Sequence, residues 1–142
     1  MVPVSPRRLR GDGGAATTET VLVAPALIFT ILVVVQAGLY FHAVSIASAA
    51  AQDGARAASI ESAPNVPSLA DGEAEAQALV DKLAPDLLDG VDVQATSVAG
   101  GERVRVTVTG EVESVTDFPG FDLDLSVSES SESVLETFRP GE

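Results

Sequence analysis

The chain has no cysteine and no tryptophan, and only 4% of its 142 residues are aromatic. Without cysteine there is no disulfide framework, no thiol nucleophile and no thiolate zinc site. Basic residues are scarce as well: Lys+Arg number 8 against 21 Asp+Glu, a net charge of −13. Nucleic-acid binding needs basic surface to neutralise phosphate, so no nucleic-acid partner is expected. His42 is the single histidine. It allows no Ser-His-Asp set and no histidine metal cluster, and at the exit of an apolar helix it reads as an interfacial polar tip. A phosphate-binding glycine loop is also missing. Neither enzyme chemistry nor a cofactor is expected. The length allows one modest domain with an appendage, and such a domain without staples needs a membrane, a partner or a metal to support it.

What is present is sorted along the chain. Residues 1–18 carry Arg7, Arg8 and Arg10 against Asp12. From Thr20 to Phe41 the run TVLVAPALIFTILVVVQAGLYF holds no charge over 22 positions. From Glu61 onward 18 acids face only Lys82, Arg103, Arg105 and Arg139. At about 1.5 Å per residue the uncharged run makes a helix of roughly 33 Å, enough to cross a hydrocarbon core of about 30 Å. Arginines before the span and acids after it predict a single-pass protein of the cell membrane. Its N-terminus is cytoplasmic and its C-terminal domain extracytoplasmic. Tyr40 and Phe41 then fall at the outer interface, where aromatic rings prefer to sit.

The start of the span decides the function. The leader ends Arg10-Gly11-Asp12-Gly13-Gly14, followed by Ala15-Ala16-Thr17-Thr18-Glu19 and the apolar run. A cut after Gly14 makes Glu19 the fifth residue of the mature chain. A carboxylate at the edge of a membrane helix is costly and usually faces a partner. The new ammonium group on Ala15 of a neighbouring subunit is the obvious counter-charge.

This arrangement resembles the class III and IV prepilin signature, and more specifically the TadE-like minor pseudopilins of bacterial tight-adherence (Tad) pilus systems. The resemblance covers Arg10 to about Ile60 and rests on Gly14, Glu19, Pro25, Gly38 and the small-residue run Gly54-Ala55-Arg56-Ala57-Ala58. Thr20 departs from the pattern, since pilin-like sequences often carry a bulky apolar residue there. The resemblance implies cleavage between Gly14 and Ala15 by a membrane prepilin peptidase, with Glu19 acting in processing and assembly. It also implies other pilin-like subunits as partners through the N-terminal helix, and gives the Pro25 kink a role in loosening that helix. Two alternatives stay open. An uncut chain would be a single-pass anchored domain that binds an extracellular partner. Ala47-Ser48-Ala49 also fits the small-x-small rule of signal peptidase, and a cut after Ala49 would release a secreted acidic protein.

Small residues continue from Ala43 to Ala58, so the membrane helix is expected to run on toward Ile60 and to bundle against another helix. Pro25 should kink it locally. Two prolines mark 61–70 as a linker. Asp71 or Ser68 can cap a helix through about Ala84, with Ala76, Leu79, Val80 and Leu83 on its apolar face. Alternating residues then predict strands around Val91–Ala95, Val104–Val112 and Leu123–Val127, with a turn at 99–102 and a further edge strand at Val134-Leu135. The expected fold is α+β: a long N-terminal transmembrane helix extended by an Ala-rich helix, then one helix packed on a three- to four-stranded antiparallel sheet. Its parts are a leader (1–14), the membrane helix and extension (15–60), the linker (61–70) and an acidic domain (71–142). Asp117, Asp122 and Asp124 could touch calcium, although a solvated sheet face explains them as well. Arg7-Arg8 lacks the surroundings of a twin-arginine signal, and Arg10-Gly11-Asp12 lies in the leader, where it is no adhesion motif.

Overall fold

A computed structural model describes residues 13–63, 66–114 and 125–135, with side chains from Thr20 onward except those of 61–63. Helix α1 (Gly13–Ala58) is followed by strands β1 (Glu61–Ala63) and β2 (Val66–Pro67) and by helix α2 (Leu69–Leu83). Strands β3 (Leu88–Val98), β4 (Arg103–Val112) and β5 (Ser126–Val134) follow among the described residues. It is an α+β architecture, as expected. The chain divides into two compact units, Met1–Val35 and Gln36–Glu142.

In the first unit the described residues are the N-terminal part of α1. From Thr20 to Val35 its side chains are exposed, apart from a half-buried Leu32. Pro25 lies inside an unbroken helix, although it has no N–H to give to the carbonyl one turn back. The Thr30 hydroxyl donates to the Ala26 carbonyl at 2.8 Å, the local bond that satisfies a hydroxyl without a partner helix.

The second unit is built on an antiparallel sheet of order β3-β4-β5. Strand β4 supplies its centre because Val104, Val106, Val108 and Val112 alternate inward and are all buried. Partners in register are Ala95↔Val106 on β3 and Ser131↔Val106 on β5. The β3–β4 connection places Ala99, Gly100 and Gly101 at positive φ, and the pairing resumes at Val98↔Arg103. In β5 only Val127 is buried; the residues that follow it on the inner face are Glu129, Ser131 and Ser133. Val134 ends β5, and Leu135 donates its N–H to the Glu102 carbonyl at 2.9 Å. Val134-Leu135 therefore closes the third strand and does not add a fourth.

Two helical segments cover the inner face, where one was expected. Helix α2 buries Gly72, Ala76 and Val80, a stripe of period four that leaves Leu83 half exposed. Beside it runs the second half of α1, burying Ala43, Ile46, Ala47, Ala50, Ala51, Ala55 and Ala58. The Ala-rich extension does meet another helix, α2 of its own domain, and it packs on the sheet as well. A Cβ on Gly54 would lie 2.7 Å from the Gly72 carbonyl oxygen and 3.2 Å from Val106, so the bare glycine is what admits the sheet and α2. The stretch expected as a linker is also structured. β1 pairs with β2, and the Ser68 N–H closes on the Ala58 carbonyl at 3.0 Å, capping the end of α1.

Candidate functional site

The residues singled out by sequence lie on α1. Gly14, Ala15 and Glu19 fall within its first two turns, and Ala15 and Glu19 are four positions apart, about one turn at 3.6 residues. A cut after Gly14 would put an ammonium group at the positive end of the helix dipole, an unfavourable placement unless a carboxylate lies near. Pro25 follows six residues after Glu19 on the exposed, apolar part of the helix. From Thr20 to Ala58 the helix is long and apolar enough to cross a membrane.

His42 is exposed and stands next to Phe41, whose ring meets that of Tyr40 edge-on at 6.0 Å. Asp117, Asp122 and Asp124 lie outside the described residues. Among the described residues no group of three His, Asp or Glu is placed to hold a metal ion.

The outer face of the sheet is polar. Glu132 on β5 takes both Arg105 and Arg103 of β4, the first through Nε at 2.9 Å and the second at 3.8 Å. Such exposed pairs contribute little stability. On the inner side, Ser48, Gln52 and Arg56 of α1 face Ser131 and Ser133 across a shallow groove of about 280 Å³. Ser130 and Glu132 line it as well, and the Glu132 carboxylate is the one paired with Arg105 and Arg103. Glu73 on α2 was not singled out by sequence. Its carboxylate accepts the N–H of Ala95 on β3 at 2.9 Å. A glutamate in the second turn of a helix gives no sign that it will reach a strand.

Among the described residues one helix, α1, is long and apolar enough to cross a membrane, and it runs into a small α+β unit. Residues 14–56 match a family described as TadE-like protein, 43 of the 142 residues. The match bears out the TadE-like resemblance over that segment. No curated protein and no solved structure matches the chain.

Proposed function

We propose that this chain is a minor pseudopilin taking part in Tad-type pilus assembly, anchored by α1 and processed by a prepilin peptidase between Gly14 and Ala15. The family match carries this proposal, because it begins at Gly14 and runs through Glu19 and the whole apolar helix. The leader is cytoplasmic, the span crosses the cell membrane once, and the acidic domain stands outside. The Ala15 ammonium and the Glu19 carboxylate compensate each other between neighbouring subunits, which relieves both the dipole repulsion and the cost of a lone acid at the lipid boundary. Pro25 loosens the helix between that pair and the domain. The role is structural rather than enzymatic, and the partners are other pilin-like subunits.

Retention of the domain on its helix is supported by burial. A signal-peptidase cut after Ala49 would remove Ala43, Ile46 and Ala47 from the core, and Ala47 is 1% exposed within an unbroken helix. A protease needs an extended, accessible strand, which such a site does not offer.

N-terminal sequencing of the mature chain from membranes tests the proposal, run on the wild type and on Glu19→Gln. The expected result is Ala15 as first residue in the wild type, with normal insertion but lost pilus assembly in the variant. An intact leader would leave an anchored binding domain, and Ala50 as first residue would make the protein secreted; either overturns the proposal.

A further inference from the structure

Resting on the membrane reading proposed above, the register of the helix in the bilayer follows from where the second unit takes hold of α1. Composition alone ends the span at Phe41, the last residue before His42. The domain engages the helix earlier. Gln36 is 5% exposed, and its Nε2 donates to the backbone oxygen of Glu113 at 3.4 Å, a contact inside the second unit. Glu113 is itself exposed, as is Glu111 on the same strand end. Carboxylates are expelled from hydrocarbon, so lipid tails do not reach the level at which Gln36 meets Glu113. Beyond that level Ala43, Ile46, Ala47 and Ala50 face the core, and protein occupies the place lipid would take. Before it, Val33, Val34 and Val35 are 49%, 66% and 45% exposed.

We infer that the outer hydrocarbon boundary falls at Gln36, with Phe41 and His42 in the headgroup and water layer. Counting back about 20 residues for a core of about 30 Å starts the span near Ala16. Phe41 then stands about 7.5 Å outside the hydrocarbon, at 1.5 Å per residue. Glu19 is carried roughly one turn inside the lipid, where a single charge is less tolerable than at the edge. The demand for a counter-charge is correspondingly stronger.

Because the chain has no native cysteine, single-cysteine variants report depth without background. Val34→Cys, Phe41→Cys and Ser45→Cys replace exposed residues of α1. The full chain in proteoliposomes is treated with a water-soluble maleimide supplied to both aqueous faces, then labelled again after opening in dodecyl sulfate. Phe41→Cys is expected to label to the same extent as Ser45→Cys, with labelling lost at Val34→Cys until the detergent is added. Protection of Phe41→Cys together with Val34→Cys, while Ser45→Cys reacts, overturns the boundary and leaves the membrane span standing. Equal labelling of all three variants overturns the span itself, and the boundary with it.

Discussion

Gly54 and Gly72 meet where α1 crosses α2, and neither position tolerates a side chain. A Cβ on Gly54 would come 2.8 Å from the Ala76 methyl and 2.7 Å from the Gly72 carbonyl oxygen. That oxygen belongs to a helix backbone and cannot swing aside. Alanine in place of glycine gains about 1 kcal/mol of helix propensity, while overpacking a tight contact costs about 1–3 kcal/mol. Gly54→Ala is therefore expected to destabilise the chain by up to about 2 kcal/mol despite its better propensity. Gly38 is the control, since a Cβ there meets nothing within 4 Å. Gly38→Ala should stabilise by about 0.5–1 kcal/mol. Urea midpoints of the detergent-solubilised chain measure both, and shifts in the same direction would show that the close crossing does not exist. Sequence marked Gly54 only as one of a run of small residues and did not mark Gly72, because which glycine meets a neighbouring backbone depends on a crossing that no local pattern encodes. The spacing of Gly14 and Glu19, by contrast, is measured along the chain itself.

At the scale of elements, legibility followed the apolar period. Helix α2 and strand β4 carry their own patterns: of the expected face Ala76, Leu79, Val80 and Leu83 the structure buries Ala76 and Val80 and leaves Leu83 exposed, and alternation is strict from Val104 to Val108. Strand β5 does not. Its inner positions after Val127 are Glu129, Ser131 and Ser133, so its register comes from pairing with β4 and cannot be read from its own residues. The second half of α1 meets a partner helix, as its small residues suggest, but its packing on the sheet was not legible, because a run of alanines suits a helix and a sheet of valines equally well. Edge protection was equally invisible. Among the described residues strand β3 pairs only with β4, and an exposed strand edge invites pairing with other chains. Glu73 blocks that edge by accepting the Ala95 N–H. Removing the acceptor in Glu73→Ala leaves a partly buried donor, at a cost of about 1–3 kcal/mol. Hydrogen exchange at the Ala95 amide should accelerate, and Glu73→Gln, which keeps an oxygen acceptor, should restore most of the protection. Unchanged exchange in the alanine variant would mean that Glu73 does not hold the edge.

For the whole molecule, the question is where the domain begins. A boundary at residue 71, drawn from composition, makes α1 a mere tether. The buried set argues otherwise: Ala43, Ala47, Ala50, Ala51, Ala55 and Ala58 of α1 share one core with Val80, Val104, Val106 and Val108. We propose that the folding unit starts at Gln36, the first residue of the second compact unit. With aromatics at 4% of the sequence and no disulfide possible, the remaining residues hold too little apolar surface to stand without those alanines. Removing them uncovers the inner faces of β4 and α2 together and leaves the Gly72 backbone facing water. A fragment of residues 36–142 is expected to unfold cooperatively in urea. A fragment of 61–142 is expected to show no unfolding transition and to bind hydrophobic dye before any denaturant is added. The two fragments have nearly the same acidic content, because only Asp53 separates them. Charge repulsion therefore cannot account for a difference in their behaviour. Adding a synthetic peptide of residues 36–60 to the shorter fragment should recover the transition if the missing helix is the cause. A cooperative transition in 61–142 alone would return α1 to the role of a tether, and the lipid boundary would then no longer be fixed by the grip of the domain on the helix.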